Sequence, residues 1–597
     1  MNLPDAAFYE FGPFRLDTVR SLLLRNGEPM SLSPKAFETL SVLVRNRGRV
    51  VRKDELIKQI WPDSYVEEGN LTQNIFVLRK ALGEGPNDHR YIVTIPGQGY
   101  RFVAPVREGS EETRPVPARR DLHASEAPES SLAASRVPSV AVLPFRTLSG
   151  ESEGDNRYLG SGLADALITR LSSVRQLAVR STAAVLKYTD PDRSPLAAGR
   201  DLGVDTVLDG YVQRAGERIR VTVQLVRVSD GATLWAEKFD EKFTDVFAVQ
   251  DSISEKVAGA LTVRLTEEEQ RLLTKRYTEN PEAFQAYIRG RYFWNRRTVE
   301  GLKKGIEFAE QAIAIDPTYA LAYVGLADSY NLLPGHGGLP PKDYFPKAKA
   351  AALRALEIDP SLAEAYASLG FVSYRFDWDW RASERHFRRA VELKPNYPTA
   401  HHWYGESLAV TGRFEESSAA LARAQELDPL SLPINADIGQ TLYFARRYEE
   451  SAAHLARVLE MDENFIRACV IAGAVYTQQG RHDEAVAVLA RADRLSGGHA
   501  LVVSGLGYAY AAAGQTDRAR QELERLRRLS DERYVAHYNL AVVHAGLGEP
   551  SAALDLLERA YEHRDVWLVW LKVNPRFDSL RAEPRFARLA ALVGIPE

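Results

Sequence analysis

Hydrophobic and small residues recur with a period of 34 in the second half of the chain. One series consists of Gly405, Gly439, Gly473 and Gly507, with Ala541 continuing it. A second series with the same period consists of Leu421, Leu455, Leu489, Leu523 and Leu557. A small residue lets a second helix pack closely on the first, and a proline ends a helix. The pattern predicts about eight repeated helix pairs over residues 281–565, with residues 566–597 as a C-terminal cap.

Two repeats are longer than the others. The prolines that close successive repeats, Pro317, Pro360 and Pro395, are spaced by 43 and then 35 residues. The nine extra residues fit the Gly/Pro-rich segment Gly335–Asp343, and the single extra residue fits the turn at Asp377–Trp380.

These repeats resemble the tetratricopeptide family. Its consensus is met by the following residues: Leu506, Gly507, Tyr510, Ala519 and, with Leu in place of Phe, Leu523. The resemblance implies a superhelix with an extended concave surface for a protein or peptide. An unspecific helical bundle is the alternative.

Residues 8–105 show a different pattern. Strand-like segments at 8–16 and 21–24 precede an Asn26–Gly27 turn, and helical stripes follow at 34–46, 53–61 and 68–82. A hairpin closes the segment, with strands at 91–95 and 100–103 and a Gly97-Gln98-Gly99 turn. The order predicts a winged helix-turn-helix.

The segment resembles the DNA-binding domain of OmpR/PhoB-type response regulators and CadC-like activators. The matching stretches are LSPKAFETLSVLVRNRGRVVRKDELIKQIW, NLTQNIFVLRKALG and YIVTIPGQGYRF. The resemblance implies that the third helix enters the major groove and that the wing reaches a minor groove. No receiver domain precedes this segment, so we do not expect phosphorylation of an aspartate as the switch, although the regulator is phosphorelay-like in its DNA-binding part.

Helical geometry selects the residues that would face DNA. With Leu71, Ile75 and Leu78 buried, the polar face and the wing offer the following: Asn70, Thr72, Gln73, Asn74, Val77, Arg79, Lys80, Gln98 and Arg101. Gln and Asn pair with adenine, and Val meets a thymine methyl. Arg79, Lys80 and Arg101, with Arg49 and Lys53, are candidates for phosphate contacts. Phe76 and Val77 stand where the family often has Arg, which favours A/T-rich or shape-read sites. The alternative is a solvated face used for protein contacts.

A linker and a middle domain separate the two ends. Residues 106–138 are rich in Pro, Ser, Glu and Arg and lack aromatic residues, which predicts a flexible linker. Residues 139–265 alternate strands and helices and predict an α+β domain. The stretches SVAVLPF, LGVDTVLDGYVQRAGERIRVTVQLV and GATLWAEKFD resemble the amino-terminal domain of the TolB protein. The fold class is therefore multidomain: an α+β winged helix, an α+β middle domain and an all-α superhelix.

Composition adds few constraints. The 597 residues include 76 Lys+Arg and 80 Asp+Glu, a net charge of −4, yet residues 45–53 hold five basic residues and no acidic one. Cys469 stands alone, which excludes an intramolecular disulfide framework. No stretch approaches the ~20 apolar residues that cross a bilayer, and no signal peptide is evident. We expect a soluble, cytoplasmic protein.

Motifs of catalysis are weak. Gly150–Gly154 matches G-x-S-x-G but lacks the strand and helix of a nucleophile elbow, and no P-loop or H-E-x-x-H occurs. His401–His402 and Cys469 are expected to be packing residues, and Gly160-Ser161-Gly162 a helix cap rather than an anion site. The resulting prediction is a transcriptional regulator that is not an enzyme, has no cofactor or metal, and binds promoter DNA and a partner in the repeat groove. RNA polymerase contact and dimerisation on DNA are possible additions. The alternatives are an interaction scaffold without DNA binding and a small-molecule sensor acting through the middle domain.

Overall fold

The structure is a computed structural model. It describes residues 8–18, 22–25, 28–30, 34–60, 71, 74–75, 78–79, 82, 84, 90–95, 98–109, 137–147, 158–190, 194–215, 218–242, 245–261 and 265–596. The chain forms two compact units, Met1–Ser131 and Leu132–Glu597.

The first unit contains two small antiparallel sheets around short helices. The elements in chain order are β1 (Phe8–Phe11), β2 (Phe14–Asp17), β3 (Leu22–Arg25), β4 (Glu28–Met30), α1 (Pro34–Arg45), β5 (Val51–Arg52), α2 (Lys53–Ile60), β6 (Ile92–Ile95), β7 (Gly99–Phe102) and β8 (Arg107–Gly109). Among the described strands, one sheet has the order β4-β3-β2-β1-β8 and the other β5-β7-β6. Within the predicted third helix, the described residues Leu71, Asn74, Ile75, Leu78 and Arg79 are helical.

The predicted apolar stripes form the core of this unit. Leu40 and Leu43 of α1 are buried together with Leu71, Ile75 and Leu78, and Phe102 of the wing joins them. Strand β8 lies inside the predicted linker 106–138. It pairs with β1, with Glu10 opposite Arg107. The sheet therefore extends beyond the predicted end of the domain at residue 105. The rest of the predicted linker, 110–136, and the Asn26–Gly27 turn lie outside the described residues.

The second unit begins with a mixed sheet. Its elements are β9 (Ser139–Val142), β10 (Arg146–Thr147), α3 (Leu159–Leu171), β11 (Ala178–Val179), α4 (Thr182–Val185), α5 (Pro195–Asp201), β12 (Thr206–Ala215), β13 (Arg218–Arg227), β14 (Thr233–Lys242), α6 (Val246–Ala260) and α7 (Glu267–Leu273). Five of the six described strands follow the order β11-β9-β12-β13-β14, parallel at the β11 end and antiparallel at the β14 end, and β10 pairs in parallel with β12. Helix α7 lies beyond the predicted domain end at residue 265.

Residues 281–563, all of which the structure describes, form sixteen helices in eight consecutive pairs. They are α8 (Pro281–Asn295), α9 (Val299–Ile315), α10 (Ala320–Gly337), α11 (Pro341–Ile358), α12 (Ala363–Val372), α13 (Trp380–Leu393), α14 (Pro398–Val410), α15 (Phe414–Leu427), α16 (Leu432–Phe444), α17 (Tyr448–Met461), α18 (Ile466–Gln478), α19 (His482–Ser496), α20 (Ala500–Ala512), α21 (Thr516–Glu532), α22 (His537–Gly546) and α23 (Pro550–His563). The predicted tetratricopeptide fold is thereby confirmed.

The glycine and leucine series meet inside the fourth, fifth and sixth pairs. A Cβ atom on Gly473 would lie 2.5 Å from Cγ of Leu489, and one on Gly439 would lie 2.7 Å from Cγ of Leu455. A side chain cannot occupy that space, so the 34-residue glycine period reflects the close approach of the two helices.

The Gly/Pro-rich segment Gly335–Asp343 is mostly helical. Helix α10 continues to Gly337, α11 starts at Pro341, and only residues 338–340 lie between them. Gly338 takes the left-handed conformation with φ 56° that ends a helix, and a proline fits the first position of the next one. The insertion therefore lengthens both helices. The single extra residue of the third repeat is absorbed by a π-helical turn, Ser373–Asp377, before Trp378 with φ 58°.

The middle domain and the repeats share one core. The rings of Phe247 and Phe284 lie 5.3 Å apart, and a Cβ on Gly162 of α3 would lie 2.5 Å from Cβ of Ile288 of α8. The Asn396 amide donates to the carbonyls of Val174 and Leu177 at 3.1 and 3.0 Å. The predicted boundary between a middle domain and a repeat domain therefore does not separate two cores.

The C-terminal segment, residues 564–596, packs on the first helices of several repeats. It contains helix α24 (Pro584–Val593). The ring of Trp570 in this segment stacks on that of Phe444 in α16, with 4.6 Å between the ring centroids. The Arg375 guanidinium, from the third repeat, donates to the carbonyl of Val566 at 3.3 Å. The segment therefore does more than cap the eighth repeat, because it joins repeats that are distant along the chain.

Candidate nucleic-acid interface

The predicted DNA-reading helix is fixed to the wing by Arg79. The Arg79 guanidinium donates to the carbonyl of Ile92 at 3.1 Å and to the Thr94 hydroxyl at 2.9 Å, both on β6. Its side chain is only 23% exposed. Arg79, a predicted phosphate contact, is therefore engaged within the protein and sets the angle between helix and wing.

Glu84 completes this junction, and the sequence reasoning missed it. One oxygen of its fully buried carboxylate accepts from the amides of Tyr91 at 2.5 Å and Ile92 at 3.3 Å. The other oxygen lies 4.0 Å from Nε of Arg79. The hydrophobic pattern does not reveal this role, because Glu84 is one of two acidic residues between the helix and the hairpin and resembles a loop residue in the sequence.

Three other predicted contacts lie on the third helix, on α2 and in the loop between α1 and β5. Asn74 is half-buried, and its amide donates to the Thr39 hydroxyl of α1 at 3.4 Å. Arg49 is exposed and pairs with Glu55 at 2.5 Å. Lys53 begins α2 and is half-buried, and its amide donates to the Gln98 carbonyl at 3.4 Å.

The wing presents two more candidates, one on each side of Gly99, a position that has room only for glycine. Gln98 is exposed at the tip, and Arg101 of β7 is half-buried. A Cβ on Gly99 would lie 2.0 Å from the Val51 carbonyl oxygen, so β7 runs directly against β5 there. The structure thus brings Gln98, Lys53 and the Arg49 loop to the wing side of the unit. The predicted residues Asn70, Thr72, Gln73, Val77 and Lys80 lie outside the described residues.

The side chains considered for other chemistry are packing residues. Nε2 of His402 lies 2.7 Å from the Asp437 carboxylate, and Nε2 of His401 lies 2.9 Å from the Pro395 carbonyl. Cys469 is fully buried. The first turn of α3 contains Gly160 and is buried against the Phe145 carbonyl, so it is neither a cap nor an open anion site. The G-x-S-x-G match at 150–154 lies outside the described residues.

Two searches cover the described part of the chain. No helix there is long and apolar enough to cross a membrane. No group of three or more His, Cys, Asp or Glu side chains in the same residues could hold a metal ion.

The repeats contain a buried ionic network that the sequence did not indicate. Arg375 and Glu406 pair at 2.5 Å with 7% and 5% of their side chains exposed. The Tyr374 hydroxyl donates to the same carboxylate at 2.9 Å, and Arg467 lies 3.4 Å from it. The network ties the third, fourth and sixth repeats together, next to the C-terminal segment.

Family models match three parts of the chain. The model described as transcriptional regulatory protein, C terminal, matches residues 27–102, and the HilA/YgeH-like transcriptional regulator, second domain, matches residues 135–256. Tetratricopeptide-repeat models match residues 378–431, 437–500, 476–535 and 534–559. The middle segment thus matches a regulator domain, and its TolB resemblance stays a prediction.

Curated relatives cover different shares of the chain. The transcriptional regulator HilA of Salmonella typhi is 26% identical over 68% of this chain and 68% of its own length. A protein named putative adenylate cyclase 3, from Rhizobium meliloti, is 32% identical over 39% of this chain and 40% of its own. The transcriptional activator CadC of Escherichia coli is 34% identical over 18% of this chain and 23% of its own.

Proposed function

We infer that this chain, which joins an OmpR/PhoB-type DNA-binding domain to a HilA-like second domain and tetratricopeptide repeats, is a DNA-binding transcriptional regulator. The observation that carries the inference is the winged-helix unit itself. The Arg79–Glu84 junction fixes its predicted reading helix against the wing. A rigid helix and wing suit simultaneous contact with two grooves.

We propose that Gln73 and Asn74 read bases, and that Arg49, Lys53 and Arg101 neutralise phosphates. Asn and Gln side chains can pair bidentately with adenine. Arg49 is exposed, and its present partner Glu55 is also near the surface, so a phosphate can compete for the guanidinium. Arg79 acts as a positioning residue, because its donors already contact the wing.

Salt-dependent DNA binding by the full chain tests this proposal. Genome-wide DNA pull-down supplies the site, and the logarithm of affinity must then fall steeply with the logarithm of salt, by about 0.9 per neutralised phosphate. Q73A should lose discrimination against mutated sites at an unchanged salt slope, whereas R49A and K53A should lower the slope for all sequences. An affinity that is independent of salt would favour the scaffold function instead.

We propose that the repeats bind a protein partner, for which RNA polymerase is a candidate. We also propose that pairs of chains bind tandem DNA sites. The C-terminal segment covers part of the first helices of the repeats, where its Asn574 donates to the Tyr538 hydroxyl of α22 at 2.6 Å. A peptide bound in the repeat groove at that place must displace this segment. Hydrogen exchange at residues 566–580, with and without candidate partner, would report the displacement.

We further propose that the chain works in the cytoplasm, where promoter DNA lies, and is not an enzyme. HilA of Salmonella typhi, which matches 68% of the chain, is named a transcriptional regulator. The relative named putative adenylate cyclase 3 matches 39% of the chain. Measurement of cyclic nucleotide formation from ATP by the purified chain tests the second statement. The small-molecule sensor remains the third alternative, and thermal shift against metabolite panels would detect it.

A further inference from the structure

The second helices of the repeats differ sharply in charge. Those of the second and third repeats, α11 and α13, each carry four Lys or Arg and two Asp or Glu, a net charge of +2 per helix. The second helices of the other six repeats carry net charges between −2 and 0. Positive charge is therefore concentrated on two successive helices of a chain whose total charge is −4.

The basic side chains of α11 and α13 are exposed and share one side of the array. Lys349 of α11 reaches the Asp377 carboxylate just before α13, at 2.7 Å. Burial and the cations Arg385 and Lys349 lower the pKa of His386 on α13, against the opposing effect of Asp379. Arg381, Arg385 and Arg388 stand at i, i+4 and i+7, on one face over about 10 Å.

Half of these cations have no carboxylate partner among the residues that the structure describes. Within the described part of the chain, Lys342, Lys347, Arg381 and Arg385 have no carboxylate at ion-pair distance, and all four side chains are exposed. The exposed arginines of α21, whose net charge is zero, stand among five acidic residues of the same helix. The excess charge on α11 and α13 is therefore available to an external polyanion.

We propose that the exposed face of α11 and α13 binds the phosphate backbone of DNA, beside the site that the winged helix reads. This inference rests on the proposed function. DNA is favoured over an acidic protein because the same chain holds the winged helix, and the covalent connection raises the effective concentration of the bound DNA at the repeats. Weak, sequence-independent phosphate contacts then suffice to add affinity.

The test compares R381E/R385E with the matched control R518E/R528E in the full chain. Both variants reverse two exposed arginines on a second helix and change the net charge equally. The probe is duplex DNA that contains the pulled-down site with long flanks, and a second duplex trimmed to the site. Circular dichroism melting confirms that both variants are folded.

R381E/R385E should lower the magnitude of the salt slope on the long duplex by about 2, for two lost phosphate contacts, and shorten the nuclease footprint. It should match the wild type on the trimmed duplex, and the control should match the wild type on both. Equal slopes for the two variants would overturn the proposal, as would a loss confined to binding of a protein such as RNA polymerase. A wild type that binds neither duplex would overturn the proposed function itself.

Discussion

The buried pair of Arg375 and Glu406 makes a quantitative prediction for the variant E406Q. The substitution keeps the side chain's shape and removes its charge, which leaves the guanidinium of Arg375 buried without a counter-ion. Breaking a buried pair by removing one partner costs about 3–5 kcal/mol. Arg467 also loses an anion at 3.4 Å but keeps Asp437, so its contribution is smaller.

Urea unfolding followed by tryptophan fluorescence measures this loss. The Arg375 guanidinium lies 5.4 Å from the Trp570 ring, so the fluorescence reports on the region that the substitution disturbs. The control is E450Q, in the exposed pair of Arg447 and Glu450, where 47% and 59% of the side chains are accessible. An exposed pair of this kind contributes little to stability, because solvent and salt screen it, so E450Q should unfold like the wild type.

A double substitution separates charge from packing. R375M/E406M removes both charges, and replacing a buried pair by apolar residues of similar volume is often neutral. We expect it to recover most of the stability that E406Q loses. If E406Q is no less stable than E450Q, the loss of Glu406's charge does not leave a costly unpaired charge on Arg375, and the prediction is wrong.

Three further predictions concern other parts of the chain. E84A should destabilise the first unit by about 2–4 kcal/mol, because two buried amides lose their acceptor; hydrogen exchange of β6 measures it, and unchanged exchange would contradict it. G473A should lose about 1–2 kcal/mol in urea unfolding through overpacking against Leu489, and L489A in the same chain should relieve part of that loss, so strict additivity would contradict the clash. Burial raises the pKa of Asp565 to about 6 from 3.8, which stabilises the fold below pH 4 relative to higher pH. The unfolding midpoint of the wild type should therefore fall relative to that of D565N as the pH rises from 4 to 7, and parallel curves would refute this.

The elements of the fold that follow a hydrophobic period could be predicted from the sequence. The stripe through Leu71, Ile75 and Leu78 is buried, and the Gly473–Leu489 contact explains the 34-residue period. Each depends on residues close in the chain, so periodicity is sufficient to find them.

Contacts between distant residues were not predictable in the same way. Arg375 and Val566 are 191 residues apart, and Asn396 and Val174 are 222 apart. Polar side chains that serve such contacts look like surface residues in a sequence, since their burial depends on the superhelix bringing them together. The contact of Arg79 with the wing is a further example, because its partner strand lies 13 residues further along the chain.

The contact between the third repeat and the C-terminal segment fixes the number of repeats. In an open stack of helix pairs each repeat touches only its neighbours, so repeats can be duplicated or lost one at a time. Here Arg375 must meet Val566, and Phe444 must meet Trp570. Adding or deleting one 34-residue unit between them would shift these partners by a whole repeat. Repeats therefore cannot be added to this array one at a time without breaking these contacts. Homologous regulators that keep the contacts should all have the same number of repeats between the third repeat and the C-terminal segment.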